Sequence, residues 1–166
     1  MTYHSVSEYS QACAPIALTN AIKMYGDKYG ITSIRNTAGK KIFEVIKDLK
    51  YGFFNNLYYW ENGVGMVDPN YIGDYAKDAF AKYGKTITVS DFKNITAQNA
   101  ISTCSAGNKL MLLCLSGNDH LIYDYHTALG YAYNRIKASN QSTTKSFIKL
   151  CDGHSSGPRY LDISLI

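Results

Sequence analysis

The spacing of apolar residues changes from helical to strand-like about halfway along the chain, and this change limits the possible folds more than any other feature. Before Gly84, apolar residues recur every three or four positions; one helix face, for example, carries Ile42, Val45, Ile46 and Leu49. After Gly84, short runs of branched and aromatic residues are separated by polar, Gly- or Ser-rich segments. This order predicts an α+β fold in which a helical N-terminal half packs on a C-terminal antiparallel β-sheet.

The same patterns predict the individual elements. Helices are predicted over residues 15–25, ended by Gly26, then around 42–49, 68–83 and 96–104, the last capped by Thr96. Residues 53–67 read as an aromatic, Gly-rich connection. Strands are predicted over residues 109–116, 127–133, 146–151 and 159–164. With 166 residues, the chain has the length of one domain, 1–166.

Composition excludes several classes of protein. Hydrophobic residues make up 46% of the chain and charged residues 18%, which is a normal balance for a globular domain. The net charge of +4 is spread along the chain without a basic stripe, so we expect no nucleic-acid partner. The longest apolar run, 110–115, is far shorter than the ~20 residues of a membrane span.

The first residues carry neither the basic nor the apolar region of a signal peptide. Localisation therefore stays open from the sequence. Our working expectation is a secreted bacterial protein whose leader is absent from this chain. The oligomeric state cannot be read from the sequence.

Cys13 has the sequence context of a nucleophile. The four cysteines show no C-x-x-C spacing, so neither a redox pair nor a zinc knuckle is indicated. Cys13 directly precedes the helix that Pro15 opens, where the helix dipole and free N–H groups stabilise a thiolate. A cysteine nucleophile also needs a base in contact and donors for the oxyanion.

His126 and Asp152 are the candidate partners of Cys13. His126 opens one predicted strand and Asp152 closes the next, so antiparallel pairing could bring them side by side. Asp152 would then fix the tautomer of the imidazole. His120 and His154 are the rival bases, and Asp124 is the rival acid. A zinc site from His120, His126, His154 and Cys151 is a further alternative, although these residues lack zinc-ligand spacing.

Three short motifs resemble the C39-like group of papain-like cysteine peptidases. They are QACAPIAL at 11–18, HTALGY at 126–131 and CDG at 151–153, and a closing RYL strand at 159–161 also fits. The resemblance implies a papain-like fold and hydrolysis of peptide bonds through a thioester acyl-enzyme. It implies Cys13 as nucleophile, His126 as general acid and base, and Asp152 as orienting residue. It also implies a peptide or protein substrate, with no metal and no organic cofactor.

Two positions differ from the family pattern. Ala14 stands where the family usually has Gly, and Ser7 stands where the family's oxyanion-hole Gln commonly lies, six residues before the cysteine. Gln11 is the nearest glutamine, and we expect it to serve the oxyanion hole, with Ser7 as the rival. The same triad serves acyl transferases and deamidases, which gives one alternative function. A catalytically inactive peptide-binding module is the other.

Overall fold

The computed structural model describes residues 12–49, 58–61, 64–67, 69–90, 95–106, 109–115, 126–154 and 157–165. The chain forms two compact units, Met1–Asp91 and Phe92–Ile166. The first unit is mainly helical and the second contains a four-stranded antiparallel sheet, which confirms the α+β class. That the chain is a single domain stays a prediction. Among the described residues, no helix has the length and apolar character needed to cross a membrane.

The described residues of the first unit form four α-helices, one β-hairpin and one 3₁₀ turn. In chain order these are α1 (Cys13–Lys28), α2 (Thr32–Arg35), α3 (Gly39–Lys47), β1 (Tyr58–Glu61), β2 (Val64–Val67), the 3₁₀ turn Pro69–Tyr71 and α4 (Ile72–Ala81).

Helix α1 contacts α2, α3 and α4 and is the centre of this unit. The α3 residues Ile42 and Ile46 are fully buried, as their helical spacing predicts, whereas Val45 of the same predicted stripe is 44% exposed. Tyr75 on α4 is also buried, and its hydroxyl donates to the carbonyl of Ile46 at 2.8 Å. Tyr25 and Phe80 join α1 to α4 through an edge-to-face contact with ring centroids 5.5 Å apart.

The predicted end of α1 at Gly26 is wrong, because the helix continues to Lys28. A Cβ atom at Gly26 would lie 2.4 Å from Cγ2 of Ile34, so the absence of a side chain allows α2 to approach α1. The glycine that ends the helix is Gly30, whose φ of 64° is left-handed.

A buried lysine ties α2 to α1. Lys23 lies on α1, and its ammonium donates to the carbonyls of Arg35 at 2.7 Å, Thr37 at 3.2 Å and Ile34 at 3.4 Å. These carbonyls lie at and just beyond the end of α2, where a helix lacks intrahelical donors. Lys23 therefore caps α2 from a neighbouring helix.

Residues 53–67 are predicted as an irregular connection, but the structure has a β-hairpin within them. β1 and β2 pair antiparallel, with Tyr58 opposite Val67 and Glu61 opposite Val64. The sequence signal for this hairpin is Asn62-Gly63, the dipeptide most typical of a two-residue hairpin turn.

In the described part of the second unit, an α-helix packs on a sheet whose strands are adjacent in chain order. Its elements are α5 (Ala97–Ser105), β3 (Met111–Leu115), β4 (His126–Lys137), β5 (Thr144–Cys151), β6 (Arg159–Asp162) and the 3₁₀ turn Ile163–Leu165. The sheet order is β3-β4-β5-β6, and each neighbouring pair is antiparallel. The predicted cap is confirmed, since the hydroxyl of Thr96 accepts the N–H of Asn99 at 3.2 Å.

Helix α5 packs on β3, β4 and β5. The core between them includes Ala100, Cys104, Leu113, Ile148 and Leu150. β4 continues past the predicted end at residue 133 to Lys137, after a bulge between Gly130 and Ala132. Beyond the core, β4 and β5 form an exposed hairpin arm. Their other ends, at His126 and Cys151, are buried and carry the candidate site.

Candidate active site

The three residues predicted as a catalytic triad lie in different units. Cys13 belongs to the first unit, and His126 and Asp152 belong to the second. Gln11, Ser7, His120 and Asp124 lie outside the described residues.

Cys13 is the first residue of α1 and is partly exposed. The first i→i−4 hydrogen bond of the helix runs from the N–H of Ile16 to the carbonyl of Ala12 at 3.0 Å. The N–H groups of Cys13 and Ala14 precede this bond, so they have no acceptor within the helix. Pro15 lies in the first turn, where its missing N–H breaks no helical hydrogen bond. This arrangement directs main-chain donors toward the start of the helix, where an anionic sulfur is favoured.

The structure brings His126 and Asp152 into direct contact. Antiparallel pairing of β4 with β5 places Leu129 opposite Cys151, so His126 and Asp152 lie together beyond this last pair. The Nε2 atom of His126 lies 2.8 Å from the main-chain oxygen of Asp152, and both residues are buried. The sequence predicts that the side chain of Asp152 contacts His126. The hydrogen bond found here joins His126 to the main-chain oxygen of Asp152.

This bond defines the tautomer of the imidazole. A carbonyl oxygen can only accept a hydrogen bond, so Nε2 of His126 must carry the hydrogen and donate it. In the neutral ring the basic nitrogen is then Nδ1. Burial lowers the pKa of His126, while the hydrogen bond to Asp152 and the charge of the Asp152 carboxylate partly oppose this effect. The buried ring is thus a neutral base at neutral pH, with a carboxylate nearby that stabilises the protonated form.

The carboxylate of Asp152 accepts hydrogen bonds from its own turn and from the last strand. Oδ1 accepts the main-chain N–H of His154 at 3.0 Å, and Oδ2 lies 3.3 Å from Nε of Arg159. Gly153, between Asp152 and His154, has a φ of 75°, which glycine adopts without strain. The Asp152 side chain is only 1% exposed, against 53% for Arg159. A buried carboxylate thus fixes the turn that follows β5.

His154 lies against the candidate base. The rings of His126 and His154 stack with centroids 4.9 Å apart and planes inclined at 30°. His154 is exposed whereas His126 is buried, so the His154 ring forms part of the cover of His126. The sequence names His154 as a rival base, and the structure places it beside the base that the motif indicates.

Arg159 is the residue that sequence reasoning missed. The sequence marks it only as the start of the last strand, and nothing there pairs it with an acid. Its position opposite Leu150 in the β5–β6 register brings its side chain to the end of β5, where Asp152 lies. The sequence signal that was available is a basic residue at the start of one strand when the preceding strand is followed by Asp.

The other cysteines have different surroundings. Burial raises the pKa of Cys104 to about 11 and also raises the pKa of Cys151. Cys114 is exposed on β3, with its sulfur 3.9 Å from the hydroxyl oxygen of Thr127. Cys13 and Cys114 are therefore the accessible thiols among the four.

Within the described part of the chain, no group of three or more His, Cys, Asp or Glu side chains is arranged to hold a metal ion. No protein-family model, no curated protein and no solved structure matches this chain significantly. The functional reading of the site therefore depends on its own geometry and chemistry.

Proposed function

We propose that this chain is a papain-like cysteine peptidase of the C39-like type, acting on a peptide or protein substrate. Cys13 is the nucleophile and His126 the general base and acid. The observation that carries the proposal is the buried His126, whose Nε2 is committed to a main-chain carbonyl so that Nδ1 is the basic nitrogen. A base held in one tautomer is what a cysteine nucleophile requires.

In the proposed reaction, Nδ1 of His126 takes the thiol proton of Cys13, and the thiolate attacks the carbonyl carbon of the scissile amide. The tetrahedral intermediate collapses as His126 returns the proton to the leaving amine, which leaves a thioester on Cys13. Water then attacks the thioester with His126 again as base, releasing the acid product and the free thiol. Main-chain N–H groups at the start of α1, together with Gln11, are the proposed donors to the oxyanion.

The position of Cys13 supports this role independently of His126. Its place at the first residue of a sixteen-residue helix gives a developing thiolate the favourable end of the helix dipole. Partial exposure gives a substrate access to the sulfur.

A peptidyl electrophile that reacts only with an activated thiol, such as a peptidyl vinyl sulfone, tests the proposal. We expect the wild-type protein to be labelled at Cys13, and Cys13→Ser and His126→Gln to resist labelling. Cys114→Ser is the matched control, since Cys114 is also accessible but lies on a strand. Equal labelling of wild type and His126→Gln would overturn the assignment of the base.

Ala14 favours a second candidate, a catalytically inactive peptide-binding module. Ala14 is buried and carries a methyl group where the related peptidases usually have Gly, directly beside the proposed oxyanion donors. Peptide binding without labelling of Cys13 supports this candidate. Products formed only with added amine acceptors indicate the acyl-transferase alternative instead, and release of ammonia from a side-chain amide indicates the deamidase alternative.

A further inference from the structure

In the turn after β5, one part of Asp152 contacts the imidazole of His126 and a different part holds the turn itself. The main-chain oxygen of Asp152 holds Nε2 of His126 at 2.8 Å. Its carboxylate accepts hydrogen bonds from the N–H of His154 and from Arg159. The main chain thus contacts the imidazole, while the side chain is bonded to the turn and to β6.

We infer that His126 is oriented by the main-chain carbonyl of Asp152, and that Arg159 is a positioning residue that holds this carbonyl in place through the Asp152 carboxylate. The catalytic meaning of the inference rests on the proposed function of His126. The orientation of the ring can be measured without any substrate.

Burial explains why Arg159 matters to this arrangement. The Asp152 side chain is 1% exposed, and a buried carboxylate is stable only when charged or hydrogen-bonding partners compensate for its lost hydration. Arg159 supplies the charge at 3.3 Å, and the His154 N–H supplies a second donor. Removing Arg159 takes a charged donor away from this buried carboxylate, and the response we expect is a shift of Asp152 toward water.

Such a shift carries the carbonyl with it. The carboxylate and the main-chain oxygen belong to the same residue, and the residue next to it is Gly153, which lacks a Cβ atom and can therefore adopt other backbone conformations at little cost. The bond to Nε2 of His126 would lengthen, and the Nδ1–H tautomer would become populated. That tautomer lacks the basic Nδ1 that the proposed reaction uses.

The first experiment identifies the acceptor of the His126 hydrogen bond. In uniformly ¹³C,¹⁵N-labelled protein, a scalar coupling across the hydrogen bond joins Nε2 to the carbon of its acceptor. We expect coupling to the main-chain carbonyl carbon of Asp152. Coupling to the carboxylate carbon of Asp152, or an Nδ1–H tautomer, overturns the inference.

The second experiment tests Arg159 with three variants. In Arg159→Gln we expect the Nδ1–H tautomer to appear in the ¹⁵N spectrum, and kcat per titrated Cys13 to fall about tenfold with little change in KM. Arg159→Lys, which keeps the charge, should recover most of both. Arg135→Gln, an exposed arginine on β4, is the control and should change neither. A purely structural role for Arg159 would lower the melting temperature but leave the tautomer and kcat per active site unchanged, and that result contradicts the inference.

Failure of the inference and failure of the proposed function give different results. If Cys13 is never labelled and no peptide is cleaved, yet His126 keeps its bond to the Asp152 carbonyl and loses it in Arg159→Gln, the function fails and the orienting role stands. If peptides are cleaved normally by Arg159→Gln and its tautomer is unchanged, the orienting role fails and the function stands.

Discussion

The rings of His126 and His154 lie face to face, 4.9 Å apart and 30° from parallel, and only His126 is buried. His154 follows Asp152 by two residues, and its N–H is bonded to the Asp152 carboxylate. The same short turn therefore provides both the acceptor for the imidazole edge and an aromatic cover for the imidazole face.

This stacking predicts how the pKa of His126 responds to changes at residue 154. Burial lowers the pKa of His126, so His154→Ala, which uncovers the ring, should raise that pKa toward its ordinary value of about 6.5. His154→Phe keeps an aromatic cover and should leave the pKa low. An NMR titration of the His126 ring protons measures both, and an unchanged pKa in His154→Ala would show that this ring does not shield His126.

The lowered pKa of His126 also predicts a loss of stability in acid. The unfolded chain protonates His126 near pH 6.5, whereas the folded chain does so only at lower pH, so between these values the unfolded state binds more protons. The contribution of His126 to the free energy of unfolding is fully present above about pH 6.5, and it declines as the pH falls toward the folded-state pKa. Urea unfolding at pH 7.5 and 5 measures this decline.

His126→Gln is the matched variant for that measurement. Its amide N–H can still donate to the Asp152 carbonyl, but it does not titrate. The difference in unfolding free energy between wild type and His126→Gln should therefore be larger at pH 7.5 than at pH 5. Equal differences at the two pH values contradict the assignment.

Labelling rates distinguish Cys13 from the other thiols. Near neutral pH, Cys13 should react with iodoacetamide faster than Cys114, although both are accessible, because only Cys13 has a helix start and a proposed base. Cys104 and Cys151 are buried with raised pKa values and should react slowest. Peptide mapping after brief alkylation gives the order, and a faster Cys114 would remove Cys13 as the nucleophile.

Gln11 is the predicted side-chain donor of the oxyanion hole. Gln11→Ala should lower kcat by about 10²- to 10³-fold, the usual effect of deleting one such donor. The rate of Cys13 alkylation should change little, since alkylation forms no oxyanion. Ser7→Ala is the comparison, because Ser7 occupies the position where related peptidases have their glutamine. Full turnover in Gln11→Ala excludes Gln11 as a donor.

The buried Lys23 predicts a large loss of stability when its ammonium is removed. Lys23→Met keeps the aliphatic chain but leaves the carbonyls of Ile34, Arg35 and Thr37 without its ammonium, which should cost about 2–4 kcal/mol of unfolding free energy. Lys41→Met, at an exposed position on α3, is the control and should change stability by less than about 0.5 kcal/mol. Equal effects of the two substitutions would mean that the contacts of Lys23 contribute no net stability.

The fold class follows from the sequence because helical and strand periodicities occupy separate halves of the chain. The same patterns cannot predict Lys23, because a lysine among apolar residues normally indicates the solvent face of a helix. Its burial depends on the carbonyls of α2, which lie more than ten residues away along the chain. The predicted helix end at Gly26 is wrong for a related reason: glycine is typical of helix ends, and only the position of Ile34 explains a glycine inside α1.

For the candidate site, the sequence indicates which residues are neighbours but not which of their atoms interact. The motif and the strand order predict that His126 lies near Asp152, and the two are in contact. The choice between the carboxylate and the main-chain oxygen of Asp152 depends on where Arg159 lies, and that is set by the β5–β6 register. Pairing registers of this kind are not encoded in any short motif.

The position of the His126–Asp152 contact at the open end of the β4–β5 hairpin has a kinetic consequence. A hairpin that closes from its turn reaches this end last, after Leu129 has paired with Cys151. Fraying of these final residues would release the imidazole while the rest of the sheet stays paired. The lifetime of the oriented ring is then set by a local opening reaction, which is governed by a smaller free energy than global unfolding. Amide hydrogen exchange at Leu129 and Cys151 reports directly on that opening.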